Sequence, residues 1–225
     1  MTTERALPAV LLALTMVTGI VDAVSFLGLG HIFTANMTGN VVFLGFAAAG
    51  AAGLSVARSA AALAAFAIGA VLAGRMEARM QAGPRQRWVG GAFVIEAALL
   101  FASAAAAAGS GADLTSRGTV LYAVIVFTGL AMGIRNGTVR KLGVADLTTT
   151  VLTLGIAGLA ADSSLAGGAN PGWSRRAASV ATMFAGAALG AWLLRSSLAW
   201  ALGIAGTISF ACSLAVALSA EHADR

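Results

Sequence analysis

Charged side chains are scarce in this chain of 225 residues: Lys, Arg, Asp and Glu together make up 10% of it. Soluble domains carry about 25%. The chain is also 59% apolar, more than a water-soluble fold of this size can cover. Disorder is excluded, because it needs high charge and few apolar residues. A single cysteine, Cys212, excludes a disulfide framework. Two histidines, His31 and His222, leave little material for zinc or thiol chemistry, and no H-E-x-x-H pattern occurs. The absence of a Gly-x-x-x-x-Gly-Lys loop removes a chain-encoded ATP motor. Three prolines and no strict glycine period exclude collagen. An outer-membrane barrel would alternate apolar and polar residues, and here the apolar runs are continuous.

What is present is a series of long apolar runs, with a mean hydropathy of +0.88. The expected class is therefore all-α: a polytopic helical membrane protein, one membrane domain over residues 1–225. A net charge of +5 does not imply nucleic acid, because the arginines sit in short gaps between apolar runs, where they set orientation. The first run follows Arg5 and has no convincing cleavage site, so it is read as an uncleaved span rather than a signal peptide.

A helix needs about 20 apolar residues to cross a bilayer core. Residues 7–29, 59–74, 88–109, 119–133, 177–194 and 198–218 qualify or nearly qualify. Two more segments, 34–54 and 147–161, open with polar residues: Thr34-Ala35-Asn36-Met37-Thr38-Gly39-Asn40 and Leu147-Thr148-Thr149-Thr150. If all eight cross, loop Lys and Arg divide six against eight. If the two polar-headed segments enter without crossing, as short broken or re-entrant helices, the division is eleven against three. The positive-inside rule favours six crossings with both termini cytoplasmic; eight remains the alternative. Trp88, Trp173, Trp192 and Trp200 lie near span ends and fit an interfacial belt.

A weak internal repeat is expected, with halves 1–114 and 115–225. Gly19-Ile20-Val21-Asp22 aligns with Gly133-Ile134-Arg135-Asn136 at an offset of 114. With one inserted residue, Thr34 meets Thr149 and Thr38 meets Thr153. Three spans per half would make the halves inverted, and four would make them parallel. The run from Asp22 through Ser25 to Gly30, the block Phe33 to Asn40, Gly133-Ile134-Arg135-Asn136-Gly137 and the threonine-rich stretch before Thr153 together resemble the YoaK-like family of uncharacterised bacterial inner-membrane proteins. That resemblance covers nearly the whole chain and implies a multi-pass inner-membrane protein. It implies no substrate.

Asp22 is the sharpest chemical signal. It lies deep in the first apolar run, and Thr15, Thr18 and Ser25 share its helical face. A carboxylate there must face the bundle interior, a partner or water. The expected role is a proton or cation site, or a substrate contact. Glu96, about two turns into its run, is a second and shallower candidate, with Ala92 and Ser103 on its face. Asn36, Thr38 and Asn40 make a polar helix start suited to a ligand or to plain capping. Thr149 and Thr153, with Asp146 and Thr150, form a similar face in the second half. Arg135 is read either as a partner of Asp22 or an anion site, or as a topogenic arginine at the end of its run; Asn136 follows it. His31 is read as an exposed loop residue. No catalytic residues are expected: Gly19-Ile20-Val21-Asp22 and Gly143-Val144-Ala145-Asp146 fall short of an intramembrane aspartyl protease. Nor is a metal or cofactor. The expected partners are the bilayer and a small molecule or ion; nucleic acid is not among them, and an oligomer is left open. The sequence thus reads as a small secondary transporter or facilitator, proton- or cation-coupled. The alternative is a non-transporting membrane scaffold or partner-binding protein.

Overall fold

A computed structural model describes residues 3–109, 114, 118–143 and 152–221, with side-chain surroundings from Leu7 to Ser219. Among the described residues there are eight α-helices and no strand: α1 (Thr3–Gly28), α2 (Met37–Ala48), α3 (Val56–Met80), α4 (Arg85–Ala108), α5 (Gly118–Leu142), α6 (Thr153–Ala161), α7 (Trp173–Leu194) and α8 (Leu198–Glu221). Six of them are long and apolar enough to cross a membrane. The other two are the helices of the polar-headed segments. The 12 residues of α2 reach about 18 Å and the 9 of α6 about 14 Å, well short of a hydrocarbon core of about 30 Å. Large apolar side chains such as Ile68, Val71, Phe184 and Trp200 face outward, as lipid permits and water would not.

Helix directions decide the number of crossings. Along α4 and α8, Gly90 lies by Ser213, Glu96 by Ser209 and Phe101 by Gly206, so these helices are antiparallel. Eight alternating crossings would make them parallel, while six make them antiparallel. α1 and α7 run parallel, with Met16 against Gly186 and Ile20 against Gly190. So do α3 and α5, with Phe66 against Gly133 and Ala70 against Gly137. Six and eight crossings both require this, so the α4–α8 direction is what separates them.

The helices pack as two groups of three. α1, α7 and α8 contact one another, as do α3, α4 and α5. The groups meet extensively along α4 and α8 and only sparsely along α1 and α5. α2 packs on α3, and α6 on α7. Within each group the closest approach depends on glycine. A Cβ on Gly186 would run into the Met16 carbonyl oxygen, and one on Gly133 into that of Phe66. Such backbone contact without a side chain between is how small residues join membrane helices.

Several expected boundaries move, and two of them bear on the polar residues. α4 begins at Arg85, behind Pro84, and α5 continues to Leu142, nine residues past Gly133. Glu96 and Arg135 are therefore deeper than the apolar runs suggest. Trp88 is buried with Val10, Leu14, Phe93 and Val216, so it belongs to the core and not to an interfacial belt. Trp173, Trp192 and Trp200 are exposed near helix ends.

Candidate functional site

The polar stripe of α1 is buried along its length: Thr15, Thr18, Asp22 and Ser25 are all enclosed. Three of these groups serve their own helix. Thr15 Oγ1 donates to the Leu11 carbonyl at 2.8 Å, Thr18 Oγ1 to Leu14 at 3.1 Å and Ser25 Oγ to the Asp22 carbonyl at 3.2 Å. Asp22 as a carboxylate could only accept. It faces the backbone N–H groups of Ala35 and Asn36, in the turn that leads into α2. Its Oδ1 has no hydrogen-bond partner among the described residues, nor does Oγ1 of Thr34, which is buried and precedes Ala35 in that turn.

That turn is held by local bonds. Asn40 Oδ1 accepts from the Phe33 N–H at 2.8 Å, and Asn40 Nδ2 donates to the Phe33 carbonyl. The rings of Phe33 and Phe43 stack 5.7 Å apart, and Phe26 stacks on Phe33 at 5.2 Å. Asn40 therefore braces the entry to α2, with its amide bonded to the Phe33 backbone. Asn36 is the N-cap residue of α2, yet its side chain makes no capping bond. Thr38 is exposed on the first turn of α2 and does not join the buried group. His31 is exposed, as expected, and adopts a positive φ of 59° beside Gly30 at 86°. The Arg58 guanidinium lies over Gly30.

The centre of the molecule holds a network that joins four helices. Arg135 of α5 and Glu96 of α4 are both fully buried and form a two-pronged ion pair. Arg135 Nε donates to Glu96 Oε2 at 3.0 Å, and Nη2 to Oε1. Arg135 Nη1 also donates to the Leu14 carbonyl and to Thr18 Oγ1 of α1, each at 2.7 Å. Ser209 of α8 donates to Glu96 Oε1 at 2.5 Å. The planar guanidinium suits such a fork, where lysine would offer one point of charge. Glu96 and Ser209 lie near the midpoints of α4 and α8, at the depth where an unpaired charge costs most.

This geometry corrects three expectations. Arg135 is neither a topogenic end-of-run arginine nor hydrogen-bonded to Asp22; its partner is Glu96, and it acts on Asp22 only through its field. Glu96 is not a shallow, partly hydrated acid. Thr153, at the first turn of α6, is exposed and far from being part of the buried network. Thr149, Thr150 and Asp146 lie outside the described residues. Asn136 donates from Nδ2 to the Met132 carbonyl at 2.8 Å within its own helix. Ser209 was not among the expected residues. Its signal was available, since Ser209, Ser213 and Cys212 interrupt an otherwise apolar stretch on one side of α8.

The network lies across the seam between the two helix groups. The ion pair itself is within one group, on α4 and α5, while Leu14, Thr18 and Ser209 belong to the other. Asp22 likewise belongs to one group, and the turn it faces leads into α2 on the other. Polar bonds at the seam can break and re-form if the groups rock; an apolar seam would offer no such alternative.

Comparisons with known proteins agree with a membrane assignment. The family model described as "Protein of unknown function (DUF1275)" matches residues 10–215. The UPF0700 transmembrane protein YoaK of Bacillus subtilis (strain 168) is 34% identical over 151 residues, which are 67% of this chain and 64% of that protein. The alignment thus spans less than two thirds of the relative's length. No solved structure matches the chain.

Proposed function

The chain belongs to the DUF1275 family and is a multi-pass membrane protein; on that premise we propose that it is a small secondary transporter or facilitator of a small solute, coupled to a proton or cation. The observation that carries this reading is a buried carboxylate, Asp22, with an unbonded oxygen, at a seam between two helix groups. A charged side chain at membrane depth costs about 2.5–3.5 kcal/mol by insertion measurements and marks ion and substrate paths. The halves, 1–114 and 115–225, are proposed to be an inverted repeat, with α1 to α4 corresponding to α5 to α8. Contacts support this: α1 on α7 mirrors α5 on α3, α1 on α8 mirrors α5 on α4, and α2 on α3 mirrors α6 on α7. The aligned Gly19 and Gly133 each meet the backbone of the helix they pack on, α7 and α3. Inverted repeats with interrupted segments in matching places are a common transporter plan, with the site between the repeats. Here that is the sparse seam of α1 and α5, where Asp22 and Asn136 occupy aligned positions. The charge division of the loops favours both termini in the cytoplasm, and the bacterial transmembrane relative supports a bacterial cell (inner) membrane.

The test begins with a solute screen. A ligand at 100 times its Kd stabilises the folded protein by about 2.7 kcal/mol, a readable rise in melting temperature. The hit is then measured in proteoliposomes. Asp22→Asn should abolish gradient-driven uptake while counterflow exchange persists, since the amide keeps the shape and removes the titratable charge. If no solute stabilises the protein and Asp22→Asn has no effect beyond yield, the chain is a scaffold.

A further inference from the structure

We infer that Asp22, and not Glu96, carries one proton through each transport cycle of this protein; the inference rests on the transport reading. It follows from a count of buried charge. Asp22, Glu96 and Arg135 are enclosed together at membrane depth, two carboxylates and one guanidinium. If all three are ionised, the group holds one uncompensated negative charge, which a low-dielectric interior strongly disfavours.

The two acids are not equivalent. Both oxygens of Glu96 are bonded by Arg135, and Oε1 also accepts from Ser209. Asp22 keeps Oδ1 unbonded among the described residues, and the fully buried Thr34 Oγ1, one residue before the Ala35 N–H that faces the carboxyl, is also unbonded. A metal cation would need several oxygens here, and it would meet the Ala35 and Asn36 N–H groups and the field of Arg135, all repulsive to it. A proton needs one lone pair.

Among the described residues, the elements packed around Asp22 bring no unpaired acid. α5 brings Arg135, and α3 brings Arg58 to Gly30 nearby. α4 brings Glu96, already paired. α7 approaches α1 through Gly186 and Gly190, and α8 brings Ser209 and Cys212, none of them charged. On α1 itself the neighbours are Thr18 and Ser25.

The step balances simply. When the seam opens to one side, water delivers a proton, and an O–H bond forms at the Asp22 carboxylate. When it opens to the other side, that bond breaks and the proton returns to water, with no change in electron count. Protonated, the network is neutral and the groups can rock; deprotonated, Asp22 draws on Arg135 and holds them until bound solute releases them, so the return without the proton is tied to solute.

The experiment is pH-difference infrared spectroscopy of the full chain in lipid nanodiscs. Subtracting the Asp22→Asn spectrum from the wild-type one should leave one carboxylic-acid carbonyl band that grows on acidification. Asp22→Glu should shift that band and keep it, which also covers the case in which Asp22→Asn folds poorly. Exchange of K⁺ for Na⁺ at fixed pH should leave it unchanged. A subtraction with no such band overturns the inference, as does a band that Na⁺ removes or one that appears only when Glu96→Gln is subtracted. Solute uptake is read separately: uptake without the band leaves the transport reading standing and removes this one.

Discussion

At the scale of single residues, the chain places two kinds of buried charge side by side. The Arg135–Glu96 pair is satisfied from every direction, whereas Asp22 is not. Removing one partner of a buried pair typically costs about 3–5 kcal/mol, because a charge is stranded, while replacing both by apolar residues is often near neutral. Glu96→Ala and Arg135→Ala should each therefore sharply lower the melting temperature in detergent. Glu96→Leu with Arg135→Met should recover most of the loss. If the double variant loses as much as the singles combined, the residues do not act as a pair. Asp22 was legible in the sequence, because depth in an apolar run is a property of one segment. The pairing of Arg135 was not. Its partner lies 39 residues away on another helix, and an arginine after an apolar run looks the same whether the helix stops or continues.

Individual elements are distinguished by where a side chain can be added. Gly133 meets the Phe66 backbone, which cannot swing aside as a side-chain tip can. Gly133→Val should thus force α3 and α5 apart, beyond the usual overpacking cost of about 1–3 kcal/mol. Gly45 on α2 has open space where a Cβ would stand, so Gly45→Ala should be tolerated and should favour the helix by about 0.5–1 kcal/mol. Thermal unfolding of the two variants checks the contrast; equal behaviour would mean that the glycine contact is not what sets the approach of α3 and α5. The interrupted character of α2 was readable from Asn36, Thr38, Gly39 and Asn40. What each does was not, because bracing by Asn40 and exposure of Thr38 depend on how the chain folds back over Phe33.

For the whole molecule, six crossings follow from loop charge and from the antiparallel run of α4 and α8. If both termini are cytoplasmic, as proposed, Gln81→Cys in a Cys212→Ala background should resist an impermeant thiol reagent in intact cells, and Ser196→Cys should react. Labelling at Gln81 would reverse that orientation. Loop charge could be counted from the sequence, but the exchange of partners between the halves, α1 with α7 and α3 with α5, could not; helix-face patterns do not say which face meets which. The central claim is that the two helix groups rock about their polar seam. Two spin-label distances across that seam test it most directly: Gln81 to Ser174 on one membrane face and Ala57 to Ser196 on the other, all as cysteines in the Cys212→Ala background. Each distance should show two populations, and acidification should lengthen one while shortening the other. Asp22→Asn should abolish that response to pH. A single fixed distance on each face at every pH, in the presence of any solute that stabilises the protein, would contradict the account.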